Sequence, residues 1–404
     1  RLPCARHRGL EVLDDEIEVH RRPVPGVGTQ VAAGGRGHRA VGLDQQIDRR
    51  GRAEQLDRVT AEAAADVLNR DFAGARVAAC AVDATDGAGL RAAFAGAGMV
   101  VVAASTSAWA GIVARAALAA GADYLDVQYA TAKLRVLQAL APDVERAGRC
   151  FVTDAGFHPG LPAALIRYAA PCFDRLERAV VGSVIKIDWA GLELSDATAP
   201  ELIEELKDYR MVVYRDGQWR PARWTSSRDL VRMDFGGAFG VQTCTPMWLE
   251  EMAAVPEAYP SIRETGFFVG GFNPFVDYVV LPLAMGALRL WPSGAVRPMG
   301  RLMAWGLRTF SRPPYGTLLK LEASGLKDGR PASVEVLLAH DDGYAFTAIP
   351  VAACLLQYLD GTIRRPGLHL QATLVEPARF LHDVERMGVA VRDGTRRATP
   401  AALA

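Results

Sequence analysis

Residues 76–160 hold four apolar runs in one rhythm: RVAACAVDATD at Arg76–Asp86, GMVVVAASTSA at Gly98–Ala108, DYLDVQY at Asp123–Tyr129 and CFVTDAGFHPG at Cys150–Gly160. Each run ends in a turn, and the first three lead into Ala- and Leu-rich stretches. This alternation reads as strand, crossover helix, parallel strand. The two middle runs are β-branched and nearly unbroken, as strands covered on both faces should be. The spacing predicts strands at Arg76–Val82, Gly98–Ala104 and Asp123–Val127. It predicts helices at Gly87–Ala95, capped by Asp86 or Thr85, at Trp109–Ala120, stopped by Gly121, and at Ala130–Ala147. Ligands of such sheets sit at the carboxyl ends of the strands. Those ends carry Asp83, Ser105, Asp126 and Asp154–Gly160.

Small residues after the second run, Ala103, Ala104, Ser105 and Thr106, would let a dinucleotide approach the backbone, with the next helix offering N–H groups to phosphate. Asp83, followed by Ala84, reads either as an acceptor for a ribose hydroxyl or adenine amine or as a plain turn residue. In the bend Asp154–Pro162, Gly156 and Gly160 allow backbone conformations closed to other residues, and Pro162 suits the first turn of a helix running to about Ala170. His158 is the only histidine between His38 and His340. With an ordinary pKa of about 6.5, it reads as a proton donor beside a hydride transfer, or as a structural histidine bonded to a carbonyl. Asp126, Gln128 and Tyr129 face the same region and read as groups that orient substrate or ribose.

The chain has 404 residues, half of them hydrophobic, and a formal net charge of zero, which gives no footprint for nucleic acid. Its six cysteines are scattered without a CxxC pair, so a reduced, cytosolic protein with apolar free thiols is expected. No metal-ligand spacing stands out, and no signal peptide is visible. The first seventy residues fit the rest poorly. A dinucleotide domain should open with a strand and G-x-G-x-x-G. Only near-matches occur, at Gly26–Gly28 and at Gly35–Ala40 after a weak strand candidate, Thr29–Ala33. A Gly/Arg-rich irregular segment, or a truncated or frame-shifted start, would give this picture. A helix is expected over Arg52–Asn69.

Beyond the bend, Ala179–Asp188 opens a strand-rich region. It contains a helix at Ala199–Tyr209 and hairpins turning at Asp216-Gly217 and around Lys327-Asp328-Gly329. Lys186, Arg223, Arg228 and Arg232 are candidates for holding a substrate carboxylate. Phe275–Leu290 and Met299–Phe310 read as a helical pair covering an apolar substrate pocket or a subunit interface. Lying on a membrane surface is the rival reading. Helices at Tyr344–Leu359 and Pro377–Met387 close the chain.

VDATDGAGLRAAFAGAGMVVVAA, AALAAGADYLDVQY, DAGFHPGLPAALI, GFNPFVDYVVLP, GYAFTAIPVAACLLQYLDG and GLHLQATLVEPARFLHDVERMGV, in this order, resemble the saccharopine dehydrogenase superfamily, especially its saccharopine reductase-like bacterial members. The resemblance covers about residues 70 to 390; the family's opening glycine fingerprint has no clear counterpart. It implies NADP or NAD on a Rossmann domain, with the nicotinamide near the His-Pro-Gly bend. It also implies a substrate and dimer domain, and a last segment returning to the first domain.

The fold expected is α/β: a Rossmann-like doubly wound parallel sheet plus a second α+β domain with a mixed sheet and returning C-terminal helices. The expected division is 1–51 irregular, 52–170 dinucleotide-binding, 171–342 substrate and dimerisation, and 343–404 returning helices. The expected activity is hydride transfer at a C–N bond of an amino-acid-like substrate. Two alternatives stand beside it: a trans-acting reductase of a C=C bond in a lipid or polyketide intermediate, and a non-catalytic membrane-associated or scaffold protein that has kept the fold but lost its cofactor loop. His158, Asp126 and Tyr129 are the catalytic candidates. Asp83, Ala84, Ala103, Ala104, Ser105, Thr106, Asp126, Gln128 and Gly156 are the cofactor candidates. A small-molecule substrate, with an apolar one favoured by the Phe275–Leu290 run, a homodimer, and a cytoplasmic location with peripheral membrane contact complete the expectation.

Overall fold

The computed structural model describes residues 40–42, 58–71, 77–104, 106–129, 131–191, 203, 206, 209–223 and 226–395. The near-matches to the glycine fingerprint before Ala40 and the candidate strand Thr29–Ala33 lie outside these residues, as does most of the helix expected at Ala199–Tyr209.

The nucleotide half alternates as expected. Strand β1 (Ala40–Gly42) is followed by α1 (Arg58–Asp71), β2 (Ala79–Ala81), α2 (Gly87–Phe94) and β3 (Met99–Val102). Then come α3 (Ala110–Ala119), β4 (Asp123–Asp126), α4 (Thr131–Arg146), β5 (Cys150–Thr153) and α5 (Pro162–Ala169). Asp86 caps α2 by accepting from the Ala88 N–H, and Gly121, at φ 71°, ends the turn after α3 in the left-handed conformation favoured by glycine. Val100, Val102, Tyr124, Leu125, Phe151 and Val152 are buried between helical layers, which is why these runs carry no polar alternation.

All pairings in this half are parallel. β1 pairs with β2, and β3, β4 and β5 form a run extended by a later strand, β14 (Gly367–Leu370), at its edge. A doubly wound sheet of order 3-2-1-4-5-6 places its first strand between such pieces. On that reading β1 and β2 take the second and third places, and β3 to β5 the fourth to sixth. Among the described residues nothing takes the first.

The second sheet is mixed. It runs β15-β13-β12-β6-β11-β10-β9, with β7 and β8 attached at β11. Its strands are β6 (Arg175–Lys186), β7 (Val212–Arg215), β8 (Gln218–Pro221), β9 (Val231–Asp234), β10 (Val241–Met247), β11 (Glu264–Gly270), β12 (Gly316–Lys327), β13 (Arg330–His340) and β15 (Ala390–Asp393). Both expected hairpins form with two-residue turns, and Asp216, Gly217, Asp328 and Gly329 all take positive φ, the geometry that matches strand twist. Short α6 (Ala254–Ala258) precedes β11. The apolar run after β11 makes α7 (Leu281–Leu290) and α8 (Val296–Phe310). Helices α9 (Gly343–Leu359), α10 (Gln371–Leu374) and α11 (Pro377–Arg386) follow β13.

The C-terminal segment does more than return helices. It gives β14 to the parallel sheet and β15 to the mixed one, and α9 packs in the cluster joining the two halves. That shared core includes Phe157, Leu161, Leu165 and Ile166 from the bend and α5, Val181, Phe267, Leu319 and Leu321 from the second sheet, and Phe346 and Cys354 from α9. One face of the second sheet therefore abuts the carboxyl edge of the first. Among the described residues no helix is long and apolar enough to cross a membrane.

Candidate active site

Three strand tips meet at the carboxyl edge. After β3, Ala103 is exposed, Ala104 half-buried and Thr106 buried; Ser105 lies outside the described residues. Backbone bonds tie the tips together, from Val127 N–H to the Val102 carbonyl at 3.1 Å and from Ala155 N–H to the Asp126 carbonyl at 3.0 Å. The Gln128 amide donates to the Thr106 hydroxyl at 2.6 Å and to the Ala104 carbonyl. Its own oxygen, Oε1, is buried without a partner among the described residues.

Below this shelf lies a buried ion cluster. Lys133, in the first turn of α4, donates to Asp126 Oδ1 at 2.6 Å, to Asp154 Oδ1 at 2.8 Å and to the Gln128 carbonyl. All three ammonium donors are thus used, and the Lys133 and Asp126 side chains are wholly shielded. Asp126 Oδ1 also accepts from Gln128 N–H, and Oδ2 accepts the Thr153 hydroxyl at 2.8 Å. Burial opposes the charge on Lys133, yet the carboxylates of Asp126 and Asp154 outweigh it and raise its pKa. Burial raises the Asp154 pKa, with Lys133 pulling the other way. Asp154 holds φ 54°, a left-handed conformation uncommon for a residue with a side chain.

The bend after Asp154 is clamped from three directions. Gly156 N–H donates to Gln371 Oε1, and Gln371 Nε2 donates back to the Gly156 carbonyl, both at 3.3 Å. The fully buried Glu251 accepts from Gly160 N–H at 2.6 Å and Ala163 N–H at 3.0 Å, across the start of α5. Burial pushes its pKa up to about 8, against the pull of those two N–H groups. Gly160, at φ 124°, has no room for a side chain, since an added Cβ would lie 2.5 Å from the Gly156 carbonyl oxygen. The ring of His158 stands 4.3 Å from Phe157 and 5.2 Å from Phe267 between centroids. Both ring nitrogens are buried without partners among the described residues, and burial lowers the pKa to about 4.

The facing wall is the second sheet. Ser183 on β6 pairs with Val269 and Leu319, so it shares a face with Phe267, the ring beside His158. Thr317 lies on that face too, and the hydroxyls of both Ser183 and Thr317 are buried without partners. Buried polar groups are normally satisfied, so bare ones on the two sides of this junction mark a place for a ligand or ordered water.

The structure sorts the candidates. Asp126 is fully buried, with Oδ1 held by Lys133 and Oδ2 by the Thr153 hydroxyl. Gly156 has both its N–H and its carbonyl bonded to Gln371. His158 is at the expected place, but its low pKa leaves it neutral at pH 7, able to give one hydrogen bond and not an imidazolium proton. Tyr129 donates to the Trp248 carbonyl at 3.2 Å and so links the two halves. Asp83 Oδ1 accepts from the Thr85 N–H and hydroxyl, the turn role weighed above, and Ala84 is buried in the helix-covered core. Ala103, Ala104, Thr106 and Gln128 stand at the tips as expected. Of the basic candidates, Arg223 and Arg228 are exposed. Lys186 lies close enough to pull on the charge of Asp277, before α7.

Sequence reasoning missed Lys133, Glu251 and Gln371. Lys133 was legible, because it falls on the buried stripe of α4 with Leu137, Leu140 and Val144, where a lysine must have a partner. Glu251 and Gln371 left no local sign.

A nicotinamide dinucleotide suits this edge in its nicotinamide half: small residues at the β3 tip leave room, and Gln128 Oε1 is an unused acceptor. Among the described residues no group of His, Cys, Asp and Glu could hold a metal ion. Residues 45–152 match the family model described as the saccharopine dehydrogenase NADP binding domain. A solved structure of apo saccharopine dehydrogenase (L-Glu forming) from Saccharomyces cerevisiae shares the fold with TM-score 0.55 and 14% identity, over 83% of this chain and 92% of that one. Weaker likenesses extend to a dehydrogenase from Chromobacterium violaceum (TM-score 0.36, 12% identity, 82% and 83% covered). Another is biliverdin reductase with biliverdin and NADP+ from Synechocystis (TM-score 0.31, 12% identity, 82% and 86% covered). At 14% identity the likeness to saccharopine dehydrogenase is one of fold. No curated protein sequence matches the chain.

Proposed function

Starting from a saccharopine dehydrogenase-type NADP-binding domain at residues 45–152, we propose that this protein is a NAD(P)-dependent oxidoreductase. Its reacting centre would lie between the tips of β3–β5 and the face of the second sheet. The observation that carries this is the set of bare polar atoms on both sides of that junction: Gln128 Oε1, both His158 nitrogens, and the Ser183 and Thr317 hydroxyls. Ala103, Ala104, Thr106 and Gln128 would hold the nicotinamide half. When bound, the cofactor supplies or accepts the hydride.

The chain's own residues position and polarise. Neutral His158 would hydrogen-bond the group that gains negative charge as hydride arrives. Lys133, Asp126 and Asp154 hold the two strand tips in register, while Glu251 and Gln371 keep the bend in place. Precise placement of this kind supplies much of the rate in hydride transfer.

The resemblance alone favoured a C–N bond of an amino-acid-like substrate. The wall favours a second reading, an apolar substrate reduced at a C=C bond. Its bare donors and acceptors are uncharged; Phe157 and Phe267 flank His158, and Val269 and Leu319 pair with Ser183. A free amino acid would need a charged partner.

Trp109 sits in the turn that opens α3 and reports on the shelf. Quenching of tryptophan fluorescence by NADPH or NADH, checked by calorimetry, is expected. If neither nucleotide binds, the reading is wrong. Turnover of NADPH with enoyl thioesters against α-imino acids then separates the two substrate classes.

A further inference from the structure

The helical pair α7–α8 leaves a large apolar surface uncovered. On the turn before α7 and along it, Val279, Leu283, Gly286 and Leu290 are exposed at spacings of four, three and four residues, which is one helix face. Leu290 is 89% exposed, and Trp291 and Tyr278 beside it are 66% and 68% exposed. Such a stripe normally faces a core; here it faces outward. Along α8 the exposed face carries Arg297, Arg301, Trp305 and Arg308. The two faces join where Trp305 packs against Phe275, at 5.3 Å between ring centroids.

Charge decides what covers this surface. Residues 276–315 hold five arginines, Arg289, Arg297, Arg301, Arg308 and Arg312, against one acid, Asp277. Asp277 is turned inward, accepting from Phe272 N–H. Among the described residues, none of these arginines forms a salt bridge. A second copy docked about a two-fold axis would set like against like, since an isologous contact repeats the same patch. A surface of anionic headgroups over acyl chain matches both features: leucine, valine and tryptophan for the interface, arginine for the phosphates.

We propose that α7–α8 is a peripheral membrane-binding hairpin that seats the protein on an anionic bilayer without crossing it. The hairpin springs from the end of β11 and returns at the start of β12, the two strands that flank β6. The bilayer would thus lie at the end of the sheet where Ser183 and Thr317 face the junction.

The test is flotation of the full chain with vesicles of pure phosphatidylcholine and of phosphatidylcholine with phosphatidylglycerol. Binding is expected to the anionic vesicles and to weaken at high salt. Leu290→Asp with Trp291→Asp should abolish it; both residues are exposed, and an unchanged melting curve confirms folding. Each of Arg297→Gln and Arg301→Gln should weaken it by roughly five-fold. No flotation with anionic vesicles overturns the proposal. So does a dimer, seen by light scattering, that the Leu290/Trp291 variant dissolves.

Discussion

Replacing Lys133 by methionine tests the ion cluster beneath the site. The side chain is nearly the same length but loses its charge and three donors. Two carboxylates, Asp126 and Asp154, stay buried, and Asp126 Oδ1, Asp154 Oδ1 and the Gln128 carbonyl each lose their bond to the ammonium group. Removing one partner of a buried pair costs about 3–5 kcal/mol. At roughly 2–4 °C per kcal/mol for a domain of this size, the melting temperature should fall by about 6–20 °C. The loss should depend on pH with a definite sign. Without Lys133 to pull it down, buried Asp154 has a folded pKa further above its unfolded one, so the folded variant binds the extra proton. Its stability then improves as pH falls, and the deficit against wild type narrows from pH 7.5 to 5. In the wild type, the raised Lys133 pKa makes that contribution complete below its unfolded value, near 10.4, and lost as pH climbs through the folded one. Scanning calorimetry of both proteins at three pH values is the assay. A drop under 2 °C at pH 7.5, or a deficit of equal size at pH 5, refutes the reasoning.

Three further outcomes are expected. His158→Phe fits among Phe157 and Phe267, so its melting temperature should hold while kcat/KM falls about 10²-fold or more; unchanged turnover removes His158 from the chemistry. Because His158 titrates near 4, the wild-type rate profile should show no step from it between pH 6 and 9. Gly160→Ala forces a Cβ to 2.5 Å from a carbonyl oxygen at φ 124°, and should cost at least about 1–3 kcal/mol in chemical denaturation; a neutral effect would mean the bend is not rigid.

The parallel core was legible because β3, β4 and β5 are unbroken apolar runs, and the two hairpins because Asp-Gly pairs accept positive φ at both turn positions. Strands β9 and β10 were not seen. VRMD alternates, but over only four residues, VQTCTPM alternates weakly, and both are buried against β6 and β11. The site was legible by position and illegible by role. Asp126 stands where a ribose acceptor should, but Lys133, seven residues on, claims it. Glu251 reaches the bend from 91 residues away, and Gln371 reaches Gly156 from 215 residues away. No local pattern encodes such contacts.

That long reach makes the His158 bend a sensor of how the two halves dock, and Glu251 is where this can be measured. Its carboxylate comes from the turn beyond β10, on the second sheet, and holds Gly160 and the start of α5 in the first half. A folded pKa near 8, above the ordinary value of about 4.5, means the folded protein keeps a proton that the unfolded chain releases. That stability is complete below about pH 4.5 and is lost as pH rises through 8, at up to about 1.4 kcal/mol per unit. Glu251→Gln removes the titration, so its stability should stay flatter with pH across this window. It also turns one acceptor into an NH2 group facing an N–H, at a cost of about 1–3 kcal/mol at low pH. Wild type should therefore be the more stable at pH 5 and lose its lead by pH 8.5. Parallel pH curves for the two proteins would mean that Glu251 is ionised throughout, held by its two N–H bonds. The bend would then be fixed by hydrogen bonding alone.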